Sequence, residues 1–344
     1  MEITNAVLSA SPLLPSTLRQ FAAIAGDVYP EVYANFIFKL TPVNLDIGFM
    51  LSYSCIVTLN FYDRLLIATI VPPLFLVTMM ASYLIGKKRN RTSEVAIILV
   101  KHRHQSAALL LAFWVYSPVS YAIFQTFSCD ELDDGKAYLR ADYSLECSTT
   151  LHSTFKTYSL VMMCIYTVGI PAVFARCLAR NRVDLAKPDR VALPHLQSLS
   201  ALCSAYKPAL YWFELVECAR RIILTGIAAF VLPNSTAQIS IVLLVAVAFV
   251  FISETIAPFE AAADANLYRW GNGVIVASLY VAFLLKVDLA DESDESITAF
   301  SGVLIAANVV MVVAVFVQTV LLMQGFRGVR TSVRALDAPV RRVT

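Results

Sequence analysis

Charge is scarce in this sequence. Only 15% of its 344 residues are Asp, Glu, Lys or Arg, while 58% are hydrophobic, a balance that excludes an ordinary water-soluble domain and reads as a polytopic membrane protein. Other absences narrow the reading. No basic segment precedes a short apolar core at Met1, so no cleavable signal peptide is expected. No apolar segment alternates with the period of a barrel strand, which leaves helices. No Gly-rich phosphate loop, nucleophile elbow or zinc-protease helix is found, so an enzyme has no candidate catalytic residue and no cofactor is called for. Histidine is down to four residues; His102 and His104 form an HxH pair in a basic loop without a carboxylate or thiol at ligand spacing, and no metal site is read from them.

What the chain has is long apolar runs. Leu65 to Ile85, Ala107 to Phe127, Tyr158 to Ala175, Leu210 to Leu232, Ile239 to Ala257, Trp270 to Val287 and Ile297 to Gln324 are each near the ~20 residues that carry a helix across a bilayer. The expected fold is an all-α transmembrane bundle of about seven spans. The sixth has 16 uncharged residues between Arg269 and Lys286, so its charged ends snorkel. The intervening loops alternate in sign: Gly86 to Ser106 carries six Lys/Arg against Glu94, Ser128 to Phe155 carries six acids against two bases, Arg176 to Lys207 is net +4, and Asp288 to Glu295 is net −5. The positive-inside rule then puts the N-terminus outside and the C-terminus in the cytoplasm.

Three regions follow: residues 1–64, a helical domain over 65–324, and a basic tail over 325–344. Pro12, Pro15, Pro30 and Pro42 interrupt the first, which reads as an interfacial hairpin, a broken helix or an external cap. The basic inner loops and the tail suit anionic lipid rather than nucleic acid. The plasma membrane is favoured over internal membranes.

Cys129 and Cys147 bracket the acidic outer loop, and a bridge closing about 17 intervening residues contributes ~3 kcal/mol by restricting the unfolded chain. Cys55, on the same side, is the rival partner. The fourth span concentrates Glu214, Glu217, Arg220 and Arg221 in one apolar stretch. On a helix Glu214, Glu217 and Arg221 share a face, and Glu217 with Arg221 is an i,i+4 pair. Charges at bilayer depth cost at least ~2.5 kcal/mol each unless they face protein or water. Glu254 in the fifth span stands as a further member, paired with Arg220 or Arg221 or sharing a cation with Glu214.

These residues carry a family resemblance. Asn60-Phe61-Tyr62-Asp63-Arg64, Pro72-Pro73, Phe127-Ser128-Cys129, Tyr138-Leu139, Asp142, Cys147, Gly169-Ile170-Pro171, Tyr206-Lys207-Pro208, Tyr211-Trp212-Phe213-Glu214, Glu217 with Arg220-Arg221, and Pro258-Phe259 follow in order and spacing over roughly residues 18–290. In this the chain resembles the TRP-like C-terminal membrane domain of large surface proteins of oomycetes, algae and other protists. That domain is distantly similar to the fungal TRP-like and flavin-carrier membrane domains. The resemblance implies the helical fold and a broad membrane class without a substrate. Such proteins carry a long repeat-rich ectodomain and a further helix ahead of this region, so the chain is expected to be a short paralogue or a piece of a longer protein.

Three functions are open. An ion channel or transporter subunit is suggested by the TRP-like resemblance and the intramembrane charges, with a cation as ligand and a homo-oligomer as assembly. The last outer loop, of about nine residues, is too short for a re-entrant pore helix and filter, so any pore is built otherwise. A non-conducting anchor or assembly module would use the same charges for helix packing. A seven-helix receptor fits the topology but lacks both an Asp/Glu-Arg-Tyr triplet at the third span and an Asn-Pro-x-x-Tyr in the seventh.

Overall fold

In the computed structural model residues 59–287 are described, apart from 90–92, 133–134, 189, 191–192 and 231–235, together with isolated positions between 302 and 317. Residues 1–58 with Cys55, the tail over 325–344 and most of the seventh expected span lie outside them. Helix α1, Phe61–Arg89, begins within the region expected as 1–64. Its start is set by a reciprocal cap in which the Asn60 amide donates to Asp63 Oδ2 and the Asp63 amide to Asn60 Oδ1, at 3.3 and 3.0 Å. A third orphan amide, that of Phe61, donates to Asp142 Oδ2 at 3.0 Å.

Helix α1 runs through Pro72 and Pro73. Pro73 has no N–H to offer the Thr69 carbonyl four residues back, and in lipid no water replaces it. Tyr166 does: its hydroxyl donates to Thr69 O at 2.7 Å. Tyr158 adds a 2.6 Å bond to the Thr69 hydroxyl. Helix α2, Glu94–Gln125, is capped by the Ser93 hydroxyl and packs along α1. The third run is continuous but not uniform: α3, Thr150–Met162, passes through a π-helical turn, Met163–Gly169, into α4, Ile170–Arg180. Pro171 follows that turn, and its missing N–H favours the wider winding. Gly169 suits that turn, since a Cβ there would crowd the Cys164 carbonyl at 3.2 Å.

Between α2 and α3 the outer loop is not helical. Strands β1 (Cys129–Glu131), β2 (Ala137–Leu139) and β3 (Asp142–Glu146) form an antiparallel sheet in that order, with Cys129 opposite Leu139. The all-α expectation is corrected to this extent. Gly135, at φ 74°, turns the chain from β1 to β2. The Cys129–Cys147 disulfide closes the sheet, its Cα atoms 6.5 Å apart. Arg140 forks onto Asp130, the Nε–Oδ2 distance being 2.9 Å.

Helices α5 (Phe213–Phe230), α6 (Thr236–Ile256) and α7 (Ala262–Lys286) complete the described bundle. Among the described residues five helices are long and apolar enough to cross a membrane: α1, α2, the α3–α4 run, α6 and α7. The fourth expected span is helical as α5, but its four charges set it apart from those five. The surface is apolar over an apolar core that also takes in polar side chains. Leu74, Phe75, Val77 and Met80 of α1, Leu244 and Phe251 of α6 and Trp270 of α7 are exposed, while Thr69, Ser120, Ser159, Asn272 and Ser278 are buried. An apolar girdle of this extent is untenable in water and natural in lipid.

Candidate functional site: a buried charge cluster

Helix α5 is led in by a 3-10 turn, Pro208–Leu210, with Pro208 at its first position. Glu, Leu, Ala and Arg then favour helix through Glu214–Arg221. Positions 214, 217, 218 and 221 fall on one face by the 3.6 period, with Arg220 beside it. That face turns inward, with Glu214, Glu217, Arg220 and Arg221 at 5, 1, 2 and 3% exposure. The sequence expectation that these four lie together is met by the geometry, with a different pairing order. Arg220 holds Glu217 in a fork, Nε to Oε2 at 2.8 Å and Nη2 to Oε1 at 2.5 Å, while Arg221 Nε reaches Oε1 at 3.2 Å.

Glu217 is therefore saturated. Tyr268 of α7 donates to its Oε2 at 3.0 Å, giving four hydrogen bonds to a carboxylate with about four lone-pair sites. Glu214 is served unequally. Its Oε2 accepts from the Tyr206 hydroxyl at 2.7 Å, but its Oε1 is buried without a hydrogen bond, and Arg221 Nη2 stands 4.0 Å from it.

The guanidiniums also lie over rings, Arg220 Cζ 5.9 Å from the Tyr268 centroid and Arg221 Cζ 5.2 Å from that of Phe113 in α2. Tyr116 of α2 donates to the Cys218 carbonyl at 3.1 Å. An aromatic wall closes the near end: Phe259 packs on Tyr206, Phe213 and Tyr268 with centroids 5.4, 6.5 and 4.9 Å away.

Tyr206 is itself positioned by backbone. Residues 205–207 pair with 258–260 in a short antiparallel bridge, Lys207 N to Pro258 O at 2.8 Å and Glu260 N to Ala205 O at 3.0 Å. Ala257, just after α6, turns the chain into this bridge at φ 46°. The buried Arg190 donates to the carbonyls of Tyr206 and Leu185, and its guanidinium is 3.7 Å from Glu260. Arg190 and Tyr268 were not legible as site residues. Tyr206 and Phe259 stood in the motifs Tyr206-Lys207-Pro208 and Pro258-Phe259, with no sign that those two motifs meet.

Glu254 is a correction. It lies on the outer side of α6, bonded by Arg269 Nε at 2.7 and 2.9 Å, with both side chains about half exposed. It pairs with Arg269, whereas Arg220 and Arg221 are bonded to Glu217. The donor set Cys129, Cys147 and His152 is compact, but the two sulfurs are bonded to each other and offer no thiolate to a metal. His152 is also engaged, its Nδ1 sharing a 2.9 Å hydrogen bond with the Tyr62 hydroxyl. His104 spends its ring on Val100 O and Ser82 at 2.8 and 3.3 Å.

The arrangement holds two acids and two guanidiniums in a helical core, one acid fully paired and the other open on one oxygen. No protein-family model matches the chain, and neither a curated protein nor a solved structure matches it.

Proposed function

We propose that this integral membrane protein is a TRP-like ion channel or transporter subunit whose working charges are Glu214, Glu217, Arg220 and Arg221. The observation that carries the reading is the unequal satisfaction of two buried carboxylates on one helix. A network serving packing alone gains by pairing every acceptor, because a bare buried oxygen costs ~1–3 kcal/mol. Intramembrane ionisable groups facing a bundle interior are by default substrate or ion sites. The resemblance to the TRP-like membrane domain points the same way.

The companion parts of the reading are an external acidic sheet, cytoplasmic basic loops that meet anionic lipid, a homo-oligomer and a plasma-membrane location. The disulfide supports the sidedness, since such bridges persist in oxidising compartments and this one lies in the acidic loop. A second reading, a non-conducting anchor, is favoured by the saturation of Glu217.

The test is cation flux from the purified protein in liposomes. Glu217→Gln alone strands two guanidiniums and is expected to cost about 3–5 kcal/mol in stability, whereas Glu217→Gln with Arg220→Gln recovers much of that cost. The double variant is expected to insert and fold yet lose flux. Normal stability together with normal flux in the double variant would overturn the proposal in favour of the anchor.

A further inference from the structure

We infer that Glu214 is a proton-exchanging carboxyl, taking H⁺ on Oε1 while Oε2 keeps the hydrogen bond from Tyr206. As a coupling device this rests on the transport reading; as a binding site it rests on geometry. Oε1 is buried and has no donor. The nearest cation, Arg221 Nη2, is 4.0 Å away, beyond hydrogen-bond reach, while Arg221 Nε is turned to Glu217.

The two acids are thus not equivalent. Protonating Glu217 would release Arg220, Arg221 and Tyr268 together; protonating Glu214 breaks no hydrogen bond, giving up the 4.0 Å attraction and weakening the bond from Tyr206. Ionised, the four side chains sum to zero charge, and with Glu214 protonated they carry +1, a state Glu217 still holds together. The titratable and charged groups facing Glu214 are Tyr206 from the bridge, Tyr116 from α2, and Glu217, Cys218, Arg220 and Arg221 from its own helix. Of these, only Glu214 has an unfilled oxygen. The proton comes from water and returns to it, and no other covalent bond changes.

Loading has a structural outlet. A neutral carboxyl accepts the Tyr206 O–H more weakly than a carboxylate does, and Tyr206 sits on the bridge between residues 205–207 and 258–260, where Arg190 grips its carbonyl. Proton occupancy is thereby felt at the linker between α6 and α7.

The test is infrared difference spectroscopy of the full chain in lipid, acid minus alkaline, in H₂O and D₂O. The expected result is a narrow high-frequency carboxyl C=O band, distinct from the broad envelope of exposed acids. It shifts in D₂O, vanishes in Glu214→Gln and persists in Glu254→Gln. Tyr206→Phe tests the same band without removing the carboxyl: with its donor gone the C=O stretch moves to higher frequency. A missing band, a band that survives Glu214→Gln, or one unmoved in Tyr206→Phe overturns the inference. Proton flux into liposomes loaded with a pH-sensitive dye separates the two claims. The band without flux refutes the transport reading and keeps the site, whereas cation flux without the band does the reverse.

Discussion

Asp142 shows how one side chain ties two parts of the molecule. Burial by itself raises its carboxyl, but the Ser144 hydroxyl, the amides of Phe61 and Ser144 and the charge of Arg64 outweigh burial and hold it below the ordinary carboxylate value. The folded chain then binds fewer protons than the unfolded one in acid. The stabilisation is complete above the unfolded value and disappears as pH falls through the lower, folded value. Asp142→Asn is expected to flatten the acid limb of thermal stability measured against pH; an unchanged acid limb would deny the carboxylate this role. At this scale the sequence is legible where partners are near in the chain. The shared face of Glu214, Glu217 and Arg221 follows from helical spacing, and the Cys129–Cys147 pair from its loop. It is silent where they are far: Tyr268 reaches Glu217 across 51 residues and Arg269 reaches Glu254 across 15, and no local pattern encodes which acid an arginine finds.

Among the elements, helices were the readable part, because an unbroken apolar run has one solution in lipid. The sheet was not, since strands of three and five residues are too short to set up an alternation. The deviations of the long helices have local causes instead. Pro73 in α1 and Tyr166 in the π turn are partners across two elements, one removing a donor and the other supplying it. Tyr166→Phe leaves the Thr69 carbonyl unpaired and is expected to cost about 1–3 kcal/mol, read as a lower unfolding midpoint in detergent titration. Restoring the peptide donor with Pro73→Ala should return part of that loss in the double variant. Equal stability of Tyr166→Phe and wild type would mean that the carbonyl finds another donor.

For the whole molecule, the girdle of exposed apolar side chains and the alternation of loop charge make sidedness a measurable property. Cysteine placed at Lys136, exposed beside the sheet, is expected to react with an impermeant thiol reagent on intact cells, whereas cysteine at Ser93 or Lys187, exposed in the basic loops, reacts only after permeabilisation. Reaction of the second set on intact cells would reverse the orientation.

The disulfide has a consequence for cleavage. It spans the loop from Cys129 to Cys147, and that loop is the sole peptide link between the chain up to α2 and the chain from α3 onward. A protease with access to the sheet, cutting after the exposed Lys136, divides the polypeptide but not the molecule. Without reductant the nicked protein should migrate as one species, and with reductant as two. Only non-covalent contacts would then keep the halves together: the pairing of β1 with β2, Asp142 on the Phe61 amide, and the packing of α2 against α5.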